Sequence, residues 1–90
     1  INNPNLIAKN YKIALQLYDS VLVKYSWHIV ALYCKKRCHE GLGEFDEAEK
    51  VIQKIKTILE TDSLAQDMYR KYSNLMPDLH LNKQKMKIPK

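Results

Sequence analysis

The feature that most constrains the fold is a frame of apolar and small residues that occurs twice, 34 residues apart. The first copy consists of Tyr11, Ala14, Tyr18 and Val21, and the second consists of Phe45, Ala48, Ile52 and Ile55. Steps of three and four residues place each set on one face of an α-helix. A repeat of this length is typical of helix-turn-helix units that stack side by side. The frame therefore predicts an all-α array, an architecture that commonly serves as a binding scaffold.

The composition is that of a single helical domain. Ninety residues make at most one domain, and only two glycines and three prolines interrupt them. Two cysteines do not make a disulfide framework, so we expect a reducing, intracellular compartment, cytoplasmic or nuclear. No apolar run approaches the roughly 20 residues of a membrane span, so we expect no membrane partner. The chain opens at Ile1 without a secretory leader, and we interpret it as an excerpt of a longer protein.

Apolar periodicity and capping residues predict four helices. We expect them at about residues 4–25, 27–41, 44–60 and 63–75. Pro4 tolerates the first position of helix 1, and Ser26 is the candidate N-cap of helix 2. Candidate caps for helix 4 are Thr61, Asp62 and Ser63, and Ser63 with Gln66 is a candidate capping box. Gly41 and Gly43 bracket the end of helix 2, where a left-handed residue is often needed.

The last part of the chain is basic and weakly patterned. After Pro77 the helical periodicity fades, and lysines alternate loosely with apolar residues as far as Lys90. We therefore predict a helical domain over residues 1–76 and a flexible basic tail over residues 77–90. The tail lysines and the basic run at residues 35–37 suit phosphate contacts. A solvated helix face is the commoner explanation of such a run, so nucleic-acid binding is the least favoured function.

The segment 31–58 resembles a tetratricopeptide repeat (TPR). Residues 31–33 look like the start of its first helix, and residues 42–48 look like the turn and the start of its second helix. Residues 11–25 resemble the second helix of a preceding repeat. Ala65, 34 residues after Ala31, would begin a further repeat or a terminal capping helix. The resemblance implies the C-terminal part of a repeat array, in antiparallel helix-turn-helix units.

Some positions depart from the TPR pattern. Lys35 stands where the family usually has Leu, Lys36 where it has a small residue, and Ser26 where it has Pro. We predict that the two lysine stems lie along the groove with their amines outside. Helix 1 has no first helix of its own in this chain. We therefore expect helix 1 to pack on upstream residues or on another copy of the chain.

The resemblance also implies a binding groove, because the first helix of each TPR lines the concave face of the array. The groove residues would be Val30, Tyr33, Cys34 and Arg37 from helix 2 with Leu64, Asp67, Met68 and Lys71 from helix 4. An apolar groove with cations suits a peptide or helix that carries a hydrophobic anchor and an acidic group. The expected function is noncatalytic protein–protein interaction with another protein, as a scaffold or co-chaperone part.

Two other interpretations are a co-chaperone ligand for this groove and an assembly function through helix 1. Many co-chaperone TPR domains bind a C-terminal carboxylate with Lys and Arg at the positions that Val30 and Cys34 occupy here. Neither residue donates a charge-assisted hydrogen bond, so we do not expect that ligand, although the layout is similar to the immunophilin type of co-chaperone. The second alternative is a helical assembly module that self-associates through helix 1.

No pattern indicates catalysis or a cofactor. Cys34 and Cys38 share one helix face with His28 and His39 nearby, and these residue types are zinc ligands. Their spacing is not that of a zinc ribbon, and both cysteines fall on the apolar stripe, where free Cys behaves as a small hydrophobe. We therefore expect no metal, no cofactor and no catalytic residue, and the chain is not expected to be an enzyme.

Overall fold

A computed structural model describes residues 4–79, and all of their regular structure is helical. The helices are α1 (Pro4–Lys24), α2 (Ile29–Gly41), α3 (Phe45–Thr61) and α4 (Ser63–Tyr72), followed by two 3-10 turns at Ser73–Leu75 and Pro77–Leu79. The predicted all-α class and its four helices are confirmed. The part of the predicted basic tail from residue 80 onward lies outside the described residues.

The start of α2 differs from the prediction by two residues. His28, rather than Ser26, caps this helix, because its Nδ1 accepts a hydrogen bond of 3.0 Å from the backbone N–H of Ala31. The residues before the cap form a turn in which the Trp27 ring lies edge-on to Tyr25, with 6.0 Å between the ring centroids. This aromatic turn fixes where the chain leaves α1 and enters α2.

At the start of α4, Asp62, one of the predicted candidate caps, takes the place that the predicted box gave to Ser63. Asp62 accepts a 2.9 Å hydrogen bond from the backbone N–H of Ala65, so it is the N-cap. The buried Gln66 side chain donates to the carbonyl of Leu59, also at 2.9 Å. Gln66 therefore satisfies a carbonyl near the end of α3 and ties α3 to α4.

Both glycines have a structural reason at the end of α2. Gly43 has a φ of 76°, the left-handed conformation that side chains rarely adopt, and it turns the chain into α3. Gly41 lies directly under the Tyr11 ring of α1, so an added Cβ would clash with ring atoms. Gly43 thus permits the tight turn after α2, and Gly41 permits the close approach of α1 to α2.

The central element is α2, which packs on α1, α3 and α4, and α3 also packs on α4. The main buried cluster consists of Ile29, Leu32, Tyr33, Val51, Ile55, Leu59, Ala65, Met76 and Leu79. This cluster draws on α2, α3, α4 and the C-terminal turns, whereas α1 contributes only half-buried residues at its rim, such as Leu22.

The C-terminal turns belong to the core. The continuous helix ends at Tyr72, three residues before the predicted boundary, and the chain then folds back in two 3-10 turns. Met76 and Leu79 are buried in the main cluster. The packed unit therefore extends to Leu79, three residues beyond the predicted end of the helical domain.

Candidate interaction surface

Lys36 is a buried cation in the middle of α2. Its side chain is only 1% exposed, and its Nζ lies 3.1 Å from Glu40 and 4.4 Å from the centroid of the Tyr33 ring. A carboxylate one turn later and an aromatic face one turn earlier offset the cost of removing the charge from water. The prediction that the ammonium groups of both lysines lie outside is therefore wrong for Lys36, whose side chain is buried.

Lys35 links α2 to α1. Its Nζ lies 2.8 Å from the carboxylate of Asp19, with both side chains partly exposed. A pair at this level of exposure stabilises the fold little, by roughly 0–1 kcal/mol. The pair mainly changes the net charge that α1 presents, because Asp19 is the one acidic residue of α1 and Lys35 offsets its charge.

The predicted groove residues fall into different environments. Tyr33 is in the core, and Val30 and Met68 are half-buried against it. On α4, Leu64 and Lys71 are exposed. Tyr33 therefore cannot offer its ring to a partner, and the outer part of the predicted α4 surface consists of Leu64 and Lys71, with Asp67 ion-paired to Arg70 of the same helix.

Cys34 and Arg37, predicted for the same groove, lie on the side of α2 that faces α1. Together with Tyr11 and Tyr18 of α1 they line an open pocket of about 530 Å³, whose other lining residues include Cys38. Cys34 and Arg37 therefore lie beside α1 rather than beside Leu64 and Met68. Their surface is separate from the α4 surface.

The Cys38 thiol in this pocket is held in its neutral form. Burial, with a further contribution from the neighbouring Cys34, raises the pKa of Cys38. A hydrogen bond to Cys34 is the main cause that raises the pKa of the Tyr18 hydroxyl. Metal binding and nucleophilic attack both require a thiolate, and a raised pKa disfavours it for Cys38.

The histidines that accompany the cysteines in sequence have structural roles. His28 caps α2, and the Nδ1 of His39 lies 2.8 Å from Glu44 Oε1 at the turn into α3. Across the described residues, no three His, Cys, Asp or Glu side chains gather into a group that would hold a metal ion.

α1 is apolar on two neighbouring faces, and only one of them packs on α2. The packed face contains Tyr11, Leu15, Tyr18 and Leu22, all half-buried. The other face carries Ile13, Leu17 and Val21 at four-residue steps, with 47%, 63% and 36% of their surfaces exposed. We call these three residues the outer stripe of α1. Sequence reasoning placed Val21 on the packed face and missed Ile13 and Leu17, although their four-residue spacing was the signal that marks such a ridge.

Comparison with protein-family models, with curated proteins and with solved structures finds no match for the chain. Within residues 4–79, every helix is too short or too polar to span a lipid bilayer.

Proposed function

We propose that this chain is a noncatalytic protein interaction module that binds a partner helix along the outer stripe of α1. The observation that carries the proposal is a row of three aliphatic side chains, Ile13, Leu17 and Val21, left exposed on a helix whose adjacent face is packed. Single exposed apolar residues are ordinary, but a row on one helix face is a typical helix-docking surface.

The geometry of the stripe favours a helix as the ligand. Residues at four-residue steps form one of the ridges by which helices interdigitate in proteins. An extended peptide gains affinity from backbone hydrogen bonds at a sheet edge, and residues 4–79 contain no sheet. The stripe from Ile13 to Val21 spans about 12 Å at the 1.5 Å rise of an α-helix, a length that matches two to three turns of a partner.

The TPR interpretation is compatible with this function and remains a proposal. What supports it is the order of packing, in which α2 contacts the helices on both sides and also α4. In that interpretation α1 is the second helix of a repeat, and its outer stripe is the face that a further helix would cover. The α4 surface around Leu64 and Lys71 remains a second candidate, because both residues are exposed.

The proposal is tested with a designed helical peptide that has Leu on one face and Gln on its flanks. We expect the full chain to bind it, and Leu17→Asp to weaken binding at least about tenfold, because burying a carboxylate in an apolar seam is costly. Val23→Asp is the matched control, since Val23 is 86% exposed on the same helix but off the stripe. Fluorescence anisotropy of the labelled peptide measures both, and circular dichroism checks that each variant is folded.

Equal loss in the two variants, or no loss in Leu17→Asp, would contradict the stripe as the binding surface. Failure of the peptide to bind the unmodified chain would contradict the proposed function itself.

A further inference from the structure

Positive charge predominates on α1, the helix that carries the outer stripe. α1 contains three lysines, Lys9, Lys12 and Lys24, and its one carboxylate, on Asp19, is paired with Lys35. Lys9 precedes Ile13 by four residues and Lys24 follows Val21 by three, so each is a helical neighbour of a stripe residue. The stripe is therefore an apolar ridge with ammonium groups at both ends.

The stripe has a polar residue, Asn10, in line with it. Asn10 is exposed three residues before Ile13, so the steps from Asn10 through Ile13 to Leu17 are three and four residues. An Asn in line with an apolar ridge is compatible with a helix–helix interface, where a single Asn can fix the register. Interfacial membrane helices instead present a broad apolar face that enters the lipid, and an in-line Asn opposes that. The pattern favours a protein helix over a lipid surface.

A second copy of the chain is a poor match for the same face. Pairing two α1 helices would bring both sets of lysines along one seam, with only Asp19 of each helix to offset them, and Asp19 is already paired with Lys35. Like charges along a helix pair disfavour association, and opposite charges on the flanks select the partner.

We propose that the outer stripe of α1 binds an amphipathic partner helix whose apolar ridge is flanked by Asp and Glu. This inference rests on the proposed function and adds the charge of the partner to it. The apolar ridge supplies affinity, and the lysines at its two ends select acidic helices and accelerate encounter.

Three peptides test the charge selection. They share one Leu face and differ only in flanking residues, which are Glu, Gln or Lys. We expect the full chain to bind the Glu peptide at least about tenfold more tightly than the Lys peptide at low salt, with a smaller ratio at high salt because salt screens exposed charges. The double variant Lys9→Glu with Lys24→Glu should reverse the order. The matched control is Lys50→Glu with Lys54→Glu on α3, which changes the net charge equally at two exposed lysines and should not reverse it.

Each other outcome overturns the inference in a distinct way. Equal binding of all three peptides would overturn the charge selection and leave the proposed function standing, whereas no binding of any peptide would overturn both. Sedimentation that shows dimers abolished by Leu17→Asp would assign the stripe to a second copy. Binding to phosphatidylserine vesicles that Leu17→Asp abolishes, without peptide binding, would assign it to a membrane surface.

Discussion

Replacing Leu79 by Ala is expected to lower the free energy of unfolding by about 2–4 kcal/mol, the usual cost of emptying a buried leucine site. Leu79 is 1% exposed and belongs to the main core cluster, although it lies beyond the last α-helix. For a chain of this length that loss is a large fraction of the total stability. Urea unfolding followed by circular dichroism measures it.

Leu75 provides the matched control, because it has the same side chain, lies four residues earlier in the same pair of turns, and is 54% exposed. We expect Leu75→Ala to change the unfolding free energy by about 0.5 kcal/mol or less. If the two substitutions cost the same, the C-terminal turns are not part of the core, and the packed unit ends with α4.

The second large effect is expected at Lys36. Lys36→Ala should cost about 2–3 kcal/mol, because it removes the packed stem of a fully buried side chain and leaves a cavity. Lys36→Met keeps the stem volume and removes the buried charge, so its stability should stay within about 1 kcal/mol of the unmodified chain. Glu40, the former ion-pair partner, is partly exposed and remains hydrated in that variant.

Lys50→Ala is the control for Lys36, since Lys50 also pairs with a glutamate but has 73% of its side chain exposed. We expect its removal to cost about 0.5 kcal/mol or less. Thermal and urea unfolding of the four proteins measure the series. If Lys36→Met is as unstable as Lys36→Ala, the ion pair and the Tyr33 contact, rather than the packed stem, hold this site.

Local patterns in the sequence predict the fold class and the number of helices. The 34-residue frame and the three- and four-residue steps predict the all-α class and four helices, because helix formation and burial both follow this spacing. Gly43 was a candidate for the left-handed position, and its φ of 76° agrees. These features depend on near neighbours in the chain, so they can be predicted without knowing the tertiary contacts.

The misses depend on tertiary packing or on local side-chain geometry that the residue pattern does not show. Leu79 follows Pro77 in a segment with no helical periodicity, so its burial is decided by the cluster that receives it. His28 is not among the usual N-cap residues, and its role appears only in the geometry of the turn. For Lys36, the general tendency of lysine to extend to solvent was outweighed by Glu40 and Tyr33 within one turn on each side.

The exposed face of α1 likewise depends on how the helices pack. Periodicity identifies apolar faces of α1, but it does not decide which of two adjacent faces packs on α2. The resemblance to TPR arrays predicts that Tyr33 and its neighbours line a binding groove. Tyr33 is buried in the core, so its ring is not available to a partner. The exposed ridge containing Leu17 becomes apparent only when α1 and α2 are placed against each other.

The central claim is that the chain binds a helix through the outer stripe of α1, and methyl NMR with the Glu-flanked peptide tests it most directly. We expect the largest shift changes at the methyl groups of Ile13, Leu17 and Val21. Perturbations centred instead on Leu64 and Met68, with the stripe methyls unchanged, would place binding on the α4 surface and contradict the account.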